Sequence, residues 1–257
     1  MCSQLSRCCH ELDIKGSLFV ASEGINLALC GLENEINTFV SRLHEDERFT
    51  AIHFHKTYSP TFTLKKLLIK TKGELVPLDG TPIAAGQYPE QYLSCDQLKQ
   101  WLDEGKAITL LDTRNEFEYE LGSFDGALQL NLNGFRELPT RESELDALPK
   151  NQALVSFCTG GIRCEKAAPY LQNYGFSEVY QLEGGIIEYL RKFGASHWHG
   201  DCFVFDDRVS ITPELEPKHH RLCLKCQTLL SEEEESHCSK CATSENPPVT
   251  EDRDDFI

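Results

Sequence analysis

A cysteine that opens a glycine-rich loop is the part of this 257-residue sequence most suited to chemistry. The apolar run at 153–157 leads directly into this loop, and a helix is predicted to begin at Cys164. The loop consists of Cys158, Thr159, Gly160, Gly161, Ile162 and Arg163. Loop amides, the dipole of the following helix and an arginine cation would all stabilise a thiolate at the end of a buried strand.

The surroundings predicted for this cysteine lower the pKa of a thiol and increase its reactive thiolate fraction. The sequence therefore predicts a catalytic thiolate at Cys158, held ionised by Arg163 and the loop amides. We expect Gly160 and Gly161 to supply the positive φ angles that such a loop needs. The alternative is a buried cysteine at a strand end, with glycines that serve only the turn. Cys164 could resolve an oxidised or persulfidated Cys158 as a disulfide, or simply pack within its helix.

Four cysteines near the C-terminus have the spacing of a zinc site. They form two Cys-x2-Cys pairs separated by eleven residues, namely Cys223, Cys226, Cys238 and Cys241. Two such pairs can supply four thiolates to a tetrahedral zinc ion, which would be structural. The alternative is a solvated tail with four free thiols, since the acidic SEEEES segment between the pairs offers no core.

A basic segment lies at residues 51–72, which contain five lysines and no acidic residue. The lysines are Lys56, Lys65, Lys66, Lys70 and Lys72. Phe54, Tyr58 and Phe62 are interleaved with them, a combination that suits phosphate contacts alongside base stacking. The alternative is two amphipathic strands with solvated lysines and core aromatic residues.

The overall composition limits the class of protein. The net charge of −16 argues against an overall basic nucleic-acid binder. No stretch approaches the roughly 18–20 apolar residues of a membrane span, and the N-terminus has no basic segment followed by an apolar block. Twelve cysteines in a chain of this length indicate reduced thiols rather than a secreted disulfide scaffold. We expect a cytoplasmic protein without a membrane partner.

The elements that must position these residues fall into two groups. Up to about residue 80, the pattern predicts a helix ending near Asp13, a helix over 33–45, and four strands. The strands are predicted at 16–20, 25–30, 52–55 and 64–70. This part is a small α+β unit, and the Pro- and Gly-containing stretch that follows, 81–92, is predicted to be a linker.

From Ser94 onward, short apolar strands alternate with helices. The strands are predicted at 107–112, 127–132, 153–158 and 178–182, with helices near 115–121, 164–174 and 185–193. This order predicts an α/β fold with a mainly parallel sheet and helices on both faces. Because the predicted strand 153–158 ends at Cys158, the loop would lie at the carboxyl edge of the sheet.

The second group, residues 93–194, resembles a rhodanese domain. LLDTR at 110–114, followed by Glu116 and Glu118, matches the strand-end aspartate motif of that family. LEGGI at 182–186 matches its late glycine motif. The resemblance implies a rhodanese-like parallel sheet flanked by helices.

Two further details refine the resemblance to rhodaneses. GSFDGA at 122–127 stands where members usually have Gly-His-Ile-x-Gly-Ala, with Ser123 in place of the histidine. Four residues separate Cys158 from Arg163, one fewer than in related phosphatases. This smaller loop fits a sulfane sulfur better than a phosphate. In such a site, Asp112 and Arg114 would order the pocket wall.

A narrower resemblance covers roughly residues 5–212. The stretch CTGGIRCEKAAPYLQNYGFSEVYQLEGGI at 158–186, ASEGIN at 21–26 and CFVFDDRV at 202–209 are together similar to the oxygen-dependent tRNA uridine(34) hydroxylase family. Its members join an acylphosphatase-like (ferredoxin-like) unit to a rhodanese domain and install 5-hydroxyuridine at the wobble base. Relatives usually begin with a strand before the first helix, which this sequence lacks, and many have longer cysteine-rich ends.

This resemblance implies the following domain organisation. The domains are expected at 1–80 (acylphosphatase/ferredoxin-like, first strand missing), 81–92 (linker), 93–194 (rhodanese), 195–212 (family-specific extension) and 213–257 (acidic tail with a possible zinc site). The basic segment at 51–72 would then face tRNA, while the acidic surfaces face away.

The implied activity is a tRNA-modifying oxidoreductase of the monooxygenase type with molecular oxygen as co-substrate. A Cys158 thiolate could add to C6 of uracil and make C5 electron-rich. The sequence contains no GxGxxG and no other flavin or nicotinamide signature. One alternative is a sulfurtransferase that carries a persulfide on Cys158, and another is an RNA- or protein-binding module with a vestigial loop.

Overall fold

The computed structural model describes residues 1–50, 52, 54–78, 83, 91–223, 229, 230, 238 and 241. The chain divides into two compact units, Met1–Leu75 and Val76–Ile257. Across the described residues, no helix combines the length and the apolar character that a membrane span requires.

The N-terminal unit contains a mixed three-stranded sheet and two α-helices. Its elements are α1 (Cys2–Glu11), β1 (Lys15–Ala21), β2 (Gly24–Cys30), α2 (Glu33–His44), a 3-10 helix (Glu47–Phe49) and β3 (Leu67–Thr71). β1 lies in the centre of the sheet, antiparallel to β2 and parallel to β3. The strand predicted at 52–55 is not observed, because Ile52, Phe54 and His55 lie outside any strand and residue 53 falls outside the described residues.

The core of the N-terminal unit lies between its sheet and its helices. Leu18 and Val20 are two positions apart on β1, so their side chains point to the same face of the sheet. They form one buried cluster with Cys9 of α1 and with Phe39 and Leu43 of α2. Complete burial of such an apolar side chain contributes about 1.5–3 kcal/mol. This cluster therefore holds both helices against the sheet.

The second unit alternates strands and helices along the chain. Its elements are β4 (Tyr92–Leu93), α3 (Cys95–Asp103), β5 (Thr109–Asp112), α4 (Glu116–Leu121), β6 (Gly122–Phe124), β7 (Leu128–Gln129), a 3-10 helix (Phe135–Thr140), α5 (Glu142–Asp146), β8 (Leu154–Phe157), α6 (Cys164–Asn173), β9 (Val179–Leu182) and α7 (Gly185–Phe193). The main sheet has the order β4-β9-β8-β5-β7, and every neighbouring pair is parallel. The predicted parallel sheet is confirmed.

The register of the main sheet determines which loops meet. Asp112 at the end of β5 pairs with Phe157 at the end of β8. The loops that follow these two strands therefore leave the sheet side by side at its carboxyl edge. Leu98 of α3 and Tyr189 of α7 belong to the same buried cluster as Val155 of β8, so both helices share a core with the strand that leads into the cysteine loop.

The chain after α7 adds three small β-structures to this unit. Its strands are β10 (Trp198–Gly200), β11 (Cys202–Phe203), β12 (Val209–Ile211), β13 (Pro217–His219), β14 (Arg221–Leu222) and β15 (Leu229–Leu230). β10 pairs with β6 antiparallel, β11, β12 and β13 form an antiparallel sheet, and β14 pairs with β15 antiparallel. A Cβ atom on Gly122 would lie 2.4 Å from the Asp201 carbonyl oxygen, so only glycine fits at this position of β6, next to its partner strand β10.

Candidate active site

Cys158 is the first residue of the loop that follows β8. The residue is 2% exposed. The amide of Gly161 donates a hydrogen bond of 3.1 Å to the Cys158 Sγ atom. This geometry needs Gly161, whose φ is +95°, whereas the positive φ also predicted at Gly160 is not observed. The loop thus directs the backbone amide of Gly161 at the sulfur.

Three groups lower the pKa of Cys158 to about 6 against the opposing effect of burial. The largest contribution is a hydrogen bond from the thiol of Cys164, followed by the charge of Arg163 and by the amides of Arg163 and Gly161. Burial and the hydrogen bond to Cys158 raise the pKa of Cys164 well above its ordinary value. These opposite shifts favour the thiolate form of Cys158 and the protonated thiol of Cys164.

The beginning of α7 packs directly on the cysteine loop. The amide of Ile186 donates to the carbonyl oxygen of Cys158 at 3.0 Å, and the amide of Ile187 donates to that of Thr159 at 3.1 Å. Gly185 has a φ of +64°, and a Cβ atom there would lie 2.5 Å from the Cys158 carbonyl oxygen. The glycine motif at 182–186 therefore allows a close backbone approach that fixes the loop.

A buried ion pair holds the arginine of the loop. The Nη1 atom of Arg163 lies 2.8 Å from Oε2 of Glu118, and both side chains are excluded from solvent. Glu118 also accepts hydrogen bonds from the Asn115 amide at 3.1 Å and from the Thr159 hydroxyl at 3.4 Å. In the sequence, Glu118 stands out only as part of the motif that follows LLDTR. The Asn-x-x-Glu spacing of a capping box predicts a helix start at Asn115, but it does not predict the contact with Arg163.

The two residues predicted to order the pocket wall form a second buried pair. Nη2 of Arg114 lies 2.7 Å from Oδ2 of Asp112, and Nε lies 3.0 Å from Oδ1. The hydroxyl of Ser123 donates to Asp112 at 2.8 Å, and Arg114 donates to the Gly122 carbonyl oxygen at 2.6 Å. Ser123, which stands where rhodaneses usually have a histidine, thus donates a hydrogen bond to Asp112, the last residue of β5.

The predicted basic segment lies on the N-terminal unit. Lys56, Lys65 and Lys66 are exposed, whereas Lys70 and Lys72 are half-buried. Among the interleaved aromatic residues, Phe54 packs against the core of that unit. In contrast, Tyr58 is 73% exposed and Phe62 is 44% exposed.

Three of the four predicted zinc ligands come together in the tail. The sulfur atoms of Cys223, Cys238 and Cys241 all lie within 4.8 Å of one another, and those of Cys223 and Cys241 are 3.5 Å apart. Zn–S bonds of about 2.3 Å in a tetrahedron place ligand sulfurs about 3.8 Å apart. The three thiols therefore fit a zinc ion. Cys226 lies outside the described residues.

Both units match known domain families. Residues 94–192 match the family described as Rhodanese-like domain, and residues 1–75 match the UPF0176 acylphosphatase like domain. Among solved structures, a rhodanese-like domain from Anabaena sp. is 25% identical, covers 44% of this chain and 80% of its own, and has a TM-score of 0.37. A rhodanese-like domain protein from Staphylococcus aureus is 26% identical, covers 38% of this chain and 90% of its own, and has a TM-score of 0.34.

Longer matches extend across both units. Proteins named tRNA uridine(34) hydroxylase from Cupriavidus pinatubonensis and Cupriavidus metallidurans are 39% and 40% identical, over 88% and 89% of this chain and 82% and 83% of their own. The protein of the same name from Burkholderia lata is 36% identical over 88% of this chain and 82% of its own. Identity at this level spans both domains in the same order, so the chain belongs to the tRNA uridine(34) hydroxylase family.

Proposed function

We propose that this protein hydroxylates uridine 34 of tRNA to 5-hydroxyuridine in an oxygen-dependent reaction that uses the Cys158 thiolate. The observation that carries the proposal is the loop around Cys158, which stabilises an ionised sulfur at neutral pH in a chain of this family. Nearby charge and amide donors are the features that activate a thiol as a nucleophile. Arg163 and the loop residues 159–162 stabilise this thiolate, and the pair formed by Asp112 and Arg114 orders the wall of the active-site pocket.

The proposed chemistry begins with covalent activation of the base. The Cys158 sulfur forms a bond to C6 of uracil, and the electron pair of the C5–C6 double bond moves toward C5 and O4. The electron-rich C5 then forms a bond to one atom of molecular oxygen in a monooxygenase-type reaction. The O–O bond breaks, and the other oxygen atom leaves as water with two electrons and a net two protons from an external two-electron donor. Loss of the C5 proton expels the thiolate and restores the double bond. Molecular oxygen is the co-substrate of this proposal.

The substrate proposal includes a role for the basic segment in binding tRNA. Lys56, Lys65 and Lys66 are exposed on the N-terminal unit, and the ring of Tyr58 is largely exposed among them. Exposed lysines contact phosphates, and an exposed ring can stack on an unpaired base. Lys70 and Lys72 complete the same basic segment. A cytoplasmic location, where tRNA is available, is part of this proposal.

The proposal also includes a structural zinc ion in the tail. The three converging thiols supply three ligands, and the Cys-x2-Cys spacing offers Cys226 as the fourth. When bound, the ion would cross-link the tail, which has few apolar residues to form a core of its own. Cys223 and Cys238 are buried, as zinc ligands in closed structural sites are.

The decisive experiment measures tRNA nucleosides by mass spectrometry in cells that lack this protein. The cells are grown in air and complemented with the wild type or with Cys158→Ser. We expect 5-hydroxyuridine and its derivatives to fall without the protein and to return only with the wild type. If Cys158→Ser restores them, the covalent mechanism is wrong.

The same strains separate the proposed function from its rivals. If the nucleosides are unchanged and purified protein transfers sulfur from thiosulfate to cyanide, the sulfurtransferase is the correct assignment. If the protein binds tRNA but supports neither reaction, it is a binding module with a vestigial loop.

A further inference from the structure

Two buried arginines of the second unit share an arrangement that links the active site to the extension after α7. Each guanidinium lies between a carboxylate and an aromatic ring. Arg114 pairs with Asp112, and its Cζ atom lies 5.6 Å from the centroid of the Trp198 ring. Arg163 pairs with Glu118, and its Cζ atom lies 5.3 Å from the centroid of the Phe205 ring. Both rings belong to the extension, and both carboxylates to the rhodanese domain.

The extension is attached firmly enough to place these rings. β10 pairs with β6 in register, and a Cβ atom on Gly200 would lie 2.2 Å from the Leu121 carbonyl oxygen. Farther along, the Phe203 ring packs edge-on against Phe117 of α4 at 5.1 Å and against Phe205 at 4.9 Å. The Phe203 ring therefore connects the Phe205 ring to α4.

We propose that Phe205 is a positioning residue for the reactive thiolate, because its ring holds the guanidinium of Arg163 beside Cys158. Glu118 neutralises and anchors one side of that guanidinium. The face of the aromatic ring covers another part of it, attracts the cation and keeps water away. The proposal rests on the proposed function only in taking Cys158 as the reactive thiol, and it requires no particular substrate.

Loss of the Phe205 ring should raise the pKa of Cys158. Without Phe205, water reaches the guanidinium, its field at Cys158 is screened, and the arginine gains freedom to move toward Glu118. Both effects weaken a charge that lowers the pKa of Cys158, so this pKa rises. At high pH the thiol is ionised in either case, and the two proteins should react at similar rates.

The test measures the rate at which iodoacetamide alkylates Cys158 in the full-length protein between pH 4 and 9, by mass spectrometry of its peptide. For Phe205→Leu, we expect the midpoint to rise by about one pH unit. If the wild-type midpoint lies near the pKa of about 6, the rate at pH 6 falls roughly fivefold. Phe205→Tyr retains the ring and should retain the wild-type profile. If Phe205→Leu does not fold, Phe205→Met replaces it.

A matched control distinguishes the positioning of Arg163 from a general loss of rigidity in the extension. Trp198→Leu removes the ring of the same extension that covers Arg114, so it should leave the midpoint of Cys158 unchanged even if it lowers the melting temperature. In an Arg163→Met background, Phe205→Leu should cause no further shift. The proposal is wrong if Phe205→Leu keeps the wild-type midpoint, if Trp198→Leu shifts it equally, or if the rate changes by the same factor at every pH. None of these results depends on tRNA modification.

Discussion

Cys158 and Cys164 carry the same thiol, yet the loop between them shifts their pKa values in opposite directions. Gly161 and Arg163 direct their amides at Cys158, and the charge of Arg163 lowers the pKa of Cys158 further. Cys164 lies at the start of α6 with the hydroxyl of Thr113 3.9 Å away, and it is fully buried. In the proposed mechanism, the Cys158 sulfur is the nucleophile and the Cys164 thiol is its hydrogen-bond donor.

Replacing Cys164 with alanine should raise the pKa of Cys158. The folded-state pKa of Cys158 is lowered mainly by the Cys164 hydrogen bond, so its loss reduces the thiolate fraction between pH 6 and 8. We expect the midpoint of Cys158 alkylation to rise by about one unit or more. Cys164→Ser keeps a hydrogen-bond donor and should therefore keep the midpoint of Cys158 alkylation close to that of the wild type. Cys202→Ala removes a buried cysteine that does not donate to Cys158 and should have no effect; an unchanged midpoint in Cys164→Ala would contradict the assignment.

Removing the carboxylate of Glu118 should destabilise the protein strongly. Glu118→Ala leaves the buried charge of Arg163 without its ion-pair partner, which costs about 3–5 kcal/mol. Denaturant unfolding followed by circular dichroism gives the free energy of unfolding. Glu120→Ala, an exposed position on the same helix, should change it by less than about 0.5 kcal/mol. Equal effects of the two substitutions would show that the ion pair does not stabilise the fold.

The residues of this site differ in how far the sequence could predict them. Cys158, Arg163 and the helix start at Cys164 are neighbours in the chain, so their local arrangement follows from one strand-loop-helix pattern. Glu118 and Phe205 reach Arg163 from segments far away in the sequence. Such contacts depend on the packing of α4 and the extension, which no local pattern specifies.

At the scale of elements, the loop after β8 is held from two directions. β8 delivers Cys158 at the carboxyl edge, where Phe157 pairs with Asp112 of β5. The start of α7 then caps the loop through two amide hydrogen bonds. Because α7 is itself buried through Ile186 and Tyr189, the loop cannot shift without disturbing the core.

Replacing Gly185 with alanine should therefore displace the cysteine loop. The added Cβ would lie 2.5 Å from the Cys158 carbonyl oxygen and 2.9 Å from the Gly161 amide nitrogen. Gly194→Ala is a matched control, because its φ is also positive, at +54°, but no atom lies within 4 Å of its added Cβ. Both variants bear a backbone cost of about 1–2 kcal/mol. Only Gly185→Ala should slow Cys158 alkylation, by about tenfold, because the displaced loop loses the amide hydrogen bonds made to Cys158. Equal alkylation rates in the two variants would show that Gly185 does not hold the loop in place.

The cysteine cluster of the tail should bind metal as a unit. Protein purified from zinc-supplied cells should contain about one zinc ion per chain by plasma mass spectrometry, and cobalt should give a thiolate charge-transfer band. Cys238→Ser removes one of the converging sulfurs and should lose both signals. Cys30→Ser, in β2 of the other unit, should keep them. Wild-type protein that takes up neither metal would overturn the zinc proposal.

The elements themselves were predictable to different degrees. The alternation of apolar strands and helices from residue 94 onward predicts the parallel sheet, because buried parallel strands form short, continuous apolar runs. At 52–55 the same reasoning fails. Ile52 and Phe54 alternate with polar residues as in a strand, but they pack against the core of the N-terminal unit without strand pairing. A short apolar alternation satisfies either arrangement, and only tertiary packing decides between them.

At the scale of the whole molecule, charge is distributed unevenly along the chain. The protein carries a net charge of −16, yet residues 51–72 hold five lysines and no carboxylate. A polyanion such as tRNA would be repelled by the average surface and attracted by this segment. The uneven distribution therefore favours one orientation of a nucleic acid on the N-terminal unit.

Neutralising the exposed lysines of this segment should weaken tRNA binding and reduce its dependence on salt. Each lysine that contacts a phosphate contributes about 0.7–0.9 to the slope of log affinity against log salt concentration. Lys65→Gln combined with Lys66→Gln should therefore lower the slope by about 1.5. Lys106→Gln, an exposed lysine of the second unit, should leave it unchanged.

The measurement is fluorescence anisotropy with unmodified tRNA between 50 and 200 mM salt, on full-length protein whose Cys158 alkylation rate is checked in parallel. An alkylation rate equal to that of the wild type shows that the active site is intact, so any loss of binding belongs to the segment itself. A second pair, Tyr58→Ala and Phe62→Ala, should lower affinity without changing the salt slope, because stacking releases no counterions. If the lysine variant keeps both affinity and slope, this segment does not face RNA, whereas the chemistry assigned to Cys158 is untouched by that result.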